Sequence, residues 1–100
     1  MYWYKLDENN VPIKCSISEY DEWVREDRTK KIVKQDWCEK TLISTVFLGL
    51  DHSLNDKILW ETIVFNNQGH SVYQDRYKSH EDAVKGHELA IKLLNDGKIE

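Results

Sequence analysis

Two runs decide the fold of this chain: Leu42-Ile43-Ser44-Thr45-Val46-Phe47-Leu48-Gly49-Leu50-Asp51-His52, and, after a polar break over 53–57, Ile58-Leu59-Trp60-Glu61-Thr62-Ile63-Val64-Phe65. β-branched and aromatic residues dominate both, so they read as paired strands of a hairpin at the centre of a sheet. On the second strand Leu59, Glu61, Ile63 and Phe65 share one face, while Trp60, Thr62 and Val64 share the other. Glu61 is its only ionisable residue. A carboxylate among apolar neighbours requires a partner or a job. His87, Arg76 and Tyr77 are the candidate internal donors, and a hydrogen bond to a ligand is the competing role.

Upstream of the hairpin, Tyr2–Leu6 has strand propensity and 7–10 is a turn cluster. Residues 11–15 resume as a short extended piece, an edge because Pro12 cannot donate to a ladder. Ser18 offers an N-cap with Asp21 three residues on, and Tyr20, Trp23 and Val24 form an i, i+3, i+4 face, which predicts a helix over 19–28. Strands are expected over 31–37, 41–50, 57–66 and 71–77, with Asn66-Asn67-Gln68-Gly69 as a turn. Ser79 caps a final helix with Glu81 and Asp82 in its first turn. Ala83, His87, Ala90 and Leu94 form its apolar stripe, and Asn95-Asp96-Gly97 stops it. The expectation is one α+β domain over 1–100. An antiparallel meander of about four or five strands is covered by one long C-terminal helix, with a short helix inserted near the N-terminus.

A chain of 100 residues with 40% hydrophobic and 32% charged residues is an ordinary globular one. No segment approaches the ~18 apolar residues of a membrane span, and the start, Met1-Tyr2-Trp3-Tyr4-Lys5, lacks a signal-peptide layout. Cys15 and Cys38 are too few for a disulfide framework, so a cytoplasmic setting is expected. The net charge of −4 argues against general nucleic-acid binding. Arg25, Arg28, Lys30, Lys31 and Lys34 nevertheless fall close together, either as a solvated helix end or as an anion-binding patch. Tyr2-Trp3-Tyr4 puts aromatics on both faces of a terminal strand, one more face than a core needs, which predicts a homo-oligomer.

Three strings carry a resemblance: Ser44-Thr45-Val46-Phe47-Leu48-Gly49-Leu50-Asp51-His52; Glu61-Thr62-Ile63-Val64-Phe65; and Arg76-Tyr77 followed by Glu81, Ala83 and Gly86-His87-Glu88. In order and spacing, over roughly half the chain, they resemble small uncharacterised proteins encoded by bacteriophages and prophages. Those relatives tend to follow the Asp-His pair with Asn-Phe-Gly and a Gly/Pro-rich loop, whereas Ser53-Leu54-Asn55-Asp56 here is shorter and lacks glycine. The resemblance implies a phage accessory protein, a class that often counters host defence in the host cytoplasm.

His87, in the middle of the helix stripe, reads either as a satisfied core histidine or as a ligand contact. Gly86 beside it and Gly49 in its strand suggest close helix–sheet approach, which would bring His87 within reach of Glu61. Asp51-His52 ends a strand, either as an Asx-turn with an exposed His or as a functional loop. The histidines make no HxxxH and the cysteines no CxxC, so neither metal nor cofactor is expected, and GxSxG, GxGxxG and phosphate-loop patterns are missing. The favoured function is a non-enzymatic sponge for a small anionic, nucleotide-like immune signal. Glu61, Asp51, His52, His87, Arg76, Tyr77, Trp3, Arg28 and Lys31 are its candidate ligand residues, with Trp60 a further stacking candidate. The alternatives are a protein–protein inhibitor of a host defence enzyme and, less favoured, a small hydrolase.

Overall fold

The computed structural model describes residues 2–53 and 56–99. Its elements run β1 (Tyr2–Leu6), β2 (Pro12–Cys15), α1 (Ile17–Glu26), a 3-10 turn (Arg28–Lys31), β3 (Ile32–Cys38), β4 (Thr41–Phe47), β5 (Leu50–Asp51), β6 (Trp60–Phe65), β7 (Ser71–Tyr77) and α2 (His80–Asn95). The class is α+β, with a long C-terminal helix over an antiparallel sheet. Among the described residues, no helix is long and apolar enough to cross a membrane.

The strands form two sheets, ordered β2-β1-β5 and β3-β4-β6-β7. The expected continuous strand over 41–50 is divided because Gly49 adopts φ +81°, a conformation that takes the chain out of the larger sheet. Its carbonyl accepts from Tyr4 N–H at 2.7 Å, which starts the smaller sheet. A Cβ at Gly49 would lie 2.2 Å from the Tyr20 ring of α1. The close approach expected at Gly49 is therefore made by α1. At Gly86 it is made by the sheet, since a Cβ there would lie 2.2 Å from the ring of Tyr77 on β7.

Pro12 sits at the outer edge of the smaller sheet, as its missing N–H requires. Helix α1 begins two residues earlier than the Ser18 reading. Ser16 Oγ accepts from Glu19 N–H (3.1 Å) and Glu19 Oε1 accepts from Ser16 N–H (2.9 Å), a reciprocal capping box. Glutamate at the third helical position reaches back to the cap, whereas the shorter Asp21 instead pairs with Arg25. Helix α2 starts at the expected cap, with Ser79 Oγ accepting from Asp82 N–H at 3.0 Å.

Strand pairing places Ile43, Thr45 and Phe47 of β4 beside Val64, Thr62 and Trp60 of β6 on the side facing α2. Ala83, Gly86, His87 and Ala90 are the helix residues buried against them. Two cores result. One gathers Tyr4, Leu6, Tyr20, Phe47, Leu59, Trp60 and Ala83; the other gathers Ile43, Val64, Ala90 and Ile99. Trp3 packs on Tyr20 with ring centroids 4.7 Å apart and Tyr4 is buried. Of the aromatic triplet only Tyr2 is exposed, under Lys14 Nζ at 3.4 Å from its ring centroid. The second aromatic face of β1 thus lies against α1, because a helix with Tyr20, Trp23 and Val24 on one side needs an apolar bed.

Replacing Ser16 by Ala should lower stability by about 1 kcal/mol in urea unfolding, while Ser18→Ala should stay within about 0.5 kcal/mol of wild type. The bonds from Ser16, its backbone N–H first, hold the Glu19 carboxyl below the ordinary glutamate value. The cap's charge-dependent contribution is complete above that ordinary value and is lost as pH falls through the lowered one. The stability gap between wild type and Glu19→Gln should therefore be widest near neutrality and close in acid.

Candidate functional site

Glu61 projects from β6 on the sheet side away from α2, opposite Arg76 of β7 in the strand register. Arg76 Nε donates to Glu61 Oε2 at 2.8 Å and Gln74 Nε2 donates to the same oxygen at 2.5 Å. The Glu61 side chain is 8% exposed and that of Arg76 48%. Of the three expected donors, Arg76 is the partner. His87 lies on the opposite side of the sheet and does not reach Glu61, because residues 61 and 62 alternate in direction along the strand.

His87 is fully buried, with both ring nitrogens engaged. Nδ1 lies 2.7 Å from Thr45 Oγ1, and Nε2 lies 2.7 Å from Asp36 Oδ2. Thr45 Oγ1 in turn lies 2.5 Å from Thr62 Oγ1. The Asp36 carboxylate only accepts, so Nε2 carries a proton and donates to it. Acid, imidazole and hydroxyl stand in the order used by hydrolytic triads. Thr45, Thr62 and His87 are each 0% exposed, however. A substrate has no approach to the Thr45 hydroxyl without lifting α2 from the sheet. The arrangement acts as a structural pin.

A cleft of about 450 Å³ opens where β7 passes into α2 beside the loop that follows β5. It is lined by His52, Ser53, Ile58, Asp75, Arg76, Tyr77, Lys78 and Asp82. The loop is shaped by the buried Asp51, whose Oδ1 accepts from the backbone N–H and the hydroxyl of Ser53 and whose Oδ2 accepts from Lys57 N–H at 3.1 Å. This is the Asx-turn arrangement, and it leaves His52 exposed at the cleft wall. Residues 54 and 55, on which the loop comparison partly rests, lie outside the described residues. The Tyr77 ring closes the cleft floor against Gly86. Burial pushes its phenol above the ordinary tyrosine value; Thr62 pulls the other way, though the two hydroxyls do not meet in a well-formed hydrogen bond.

Of the nine residues expected to hold a ligand, His52, Arg76 and Tyr77 line this cleft, and Glu61 and Asp51 brace it from behind. Trp3, Arg28, Lys31 and His87 do not line it. Trp60 is 1% exposed and has no stacking face to offer. The basic cluster is largely neutralised. Arg25 pairs with Asp21 (3.0 Å), Lys30 with Glu26 (2.6 Å), and Lys34 with Glu88 (2.5 Å). Lys31 Nζ stands 5.6 Å over the Tyr20 ring, and Arg28 is exposed on the 3-10 turn. Asp75 and Lys78 also join the cleft, as does Asp82, whose place in the first turn of the helix gave it a capping role alone. The adjacency of strand 71–77 to the capped helix start was the available signal. Among the described residues, no three of His, Cys, Asp or Glu converge as a metal site requires.

No protein-family model matches the chain, and neither the curated proteins nor the solved structures contain a significant match.

Changing Glu61 to Gln keeps its shape and removes its charge, leaving Arg76 without a charged acceptor. Thermal and urea unfolding should record a loss of roughly 1–3 kcal/mol. An unchanged midpoint would mean that the Glu61–Arg76 pair contributes nothing to the fold.

Proposed function

We propose that this protein is a phage accessory counter-defence factor, a non-enzymatic binder that sequesters a small nucleotide-like immune signal in the host cytoplasm. The observation that carries this reading is the cleft between β7, α2 and the loop after β5. Its size falls within the range of small-molecule sites. Its lining mixes two cations, Arg76 and Lys78, with two carboxylates, Asp75 and Asp82. A nucleotide presents both complements: phosphates for the cations, and ribose hydroxyls or base amines for the carboxylates. Arg76 engages Glu61 through Nε, which fixes its stem and leaves its terminal nitrogens for a phosphate. The Tyr77 ring and the His52 imidazole add flat surfaces on which a base stacks.

The Asp36–His87–Thr45 chain is sealed beneath α2 and does not reach a ligand held in the cleft. The phage assignment rests on the resemblance of the three strings. A protein-directed inhibitor, the second reading, would need an exposed apolar face, and the sheet side away from α2 supplies one.

Calorimetry against cyclic dinucleotides, cyclic trinucleotides and ADP-ribose cyclisation products tests the proposal. One of them should bind, weaken with added salt, and be recovered chemically intact after denaturation. Lys78→Glu leaves the Glu61–Arg76 pair in place and should weaken that binding about tenfold, or about 1.4 kcal/mol. Recovery of a cleaved nucleotide would make the protein an enzyme, and no binding across the panel would defeat the sponge reading.

A further inference from the structure

The larger sheet carries apolar residues on both sides. Ile32, Trp37, Leu42, Val46, Ile63 and Phe65 alternate with the residues that face α2, so they project from the opposite side. None of the six belongs to either core. Trp37 is 67% exposed and Ile32 40%. Helix α1 does not cover them, because it packs on β1 and the 3-10 turn. An antiparallel sheet that meets water on one side ordinarily shows polar residues there. This one departs from that pattern across three adjoining strands.

From this departure we infer that the open face of the β3-β4-β6-β7 sheet is the interface of a symmetric dimer, with a second copy of the chain as its occupant. The charge balance of the face admits this occupant. The face's charged residues in the strand register are Glu61 and Arg76, and these are bonded to each other. The face is therefore electrically neutral, although the chain carries −4. Two copies meet there without like-charge repulsion, whereas a strongly acidic or basic partner finds no complement. Its other polar side chains are occupied within the chain, since Gln35 Nε2 donates to Ser44 Oγ at 3.0 Å and Gln74 Nε2 donates to Glu61, so they set no polar demand on what covers the face.

The dimensions allow a small interface. Four strands about 4.8 Å apart and about 20 Å long give a projected footprint of roughly 400 Å². With side-chain relief added, that lies below the ~800 Å² per partner of a standard interface, in the range of small interfaces that associate at micromolar concentration. Packed face to face at about −30°, the two sheets would form the inner layers and the two α2 helices the outer ones. Trp37 would supply the large aromatic anchor. Arg76 borders both this face and the cleft, so the cleft would open at the edge of the interface.

Sedimentation velocity of the intact chain tests the inference. Wild type should run at about twice the 11.9 kDa chain mass at micromolar concentration. Ile63→Asp should weaken self-association at least about tenfold with an unchanged far-UV spectrum, because Ile63 is outside both cores. Trp37→Asp, at the most exposed of the six positions, gives the same reading should Ile63→Asp fail to fold. Leu89→Asp, on the solvent side of α2, should leave the dimer intact. A wild type that is monomeric at high micromolar concentration would overturn the inference and leave the face for a different protein. A dimer that survives folded Ile63→Asp or Trp37→Asp would overturn it too.

Discussion

His87 has no solvent to turn to. Its Nε2 donates to Asp36 on the edge strand β3, and its Nδ1 meets Thr45 on the central strand β4, which in turn meets Thr62 on β6. One imidazole thereby ties α2 to three strands. Leaving a single buried donor or acceptor unmet costs about 1–3 kcal/mol, so the chain of bonds fixes both the height and the rotation of α2. Dispersion contacts alone specify neither so sharply. Ala83 and Ala90, one turn to either side, and Gly86 against Tyr77 are small because the helix must come down far enough for His87 to reach its partners.

The rest of the architecture follows from that seating. With α2 set over one side of the larger sheet, Glu61, Ile63 and Phe65 are left on the other, and Glu61 takes Arg76 and Gln74 as partners there. Gly49 then turns the chain away toward β1 and α1, where Tyr20 fills the space a side chain would occupy. The cleft lies where these arrangements meet. Arg76 is anchored from the open side by Glu61, Tyr77 is pressed from the helix side onto Gly86, and Asp51 shapes the opposing loop. The site residues are positioned by bonds made behind them, which is how a small domain holds a ligand surface without dedicating a second layer to it.

Much of the fold was legible because its signals are local. The Ser79 cap, the Ala83–His87–Ala90 stripe, the edge proline and the 71–77 strand each follow from one segment's own residues. The division of 41–50 into two sheets was not legible. It depends on a positive φ at Gly49 that only the distant Tyr20 ring makes necessary. Pairing was legible by type and not by identity. Glu61 and His87 each announced a need for partners, and alternation alone separates them onto opposite sheet sides once α2 is known to cover Thr62. Applied across the register, that same alternation puts Asp36 and Thr45, with Lys34, Thr62 and Asp75, on the side that α2 covers, without saying which of them His87 meets. The basic run from Arg25 to Lys34 looked available because its neutralising carboxylates, Asp21 on the preceding helical turn and Glu88 on α2, include one more than fifty residues away.

The role of His87 as the pin between helix and sheet is open to direct observation. Side-chain nitrogen–proton NMR of uniformly labelled protein resolves which ring nitrogen bears a proton and how fast that proton exchanges with water. With His87 as the pin, Nε2 bears a proton that is protected like the amides of β4 and β6, since its release requires α2 to lift. A His87 ring proton exchanging as fast as those of the exposed His52 and His70 would contradict it.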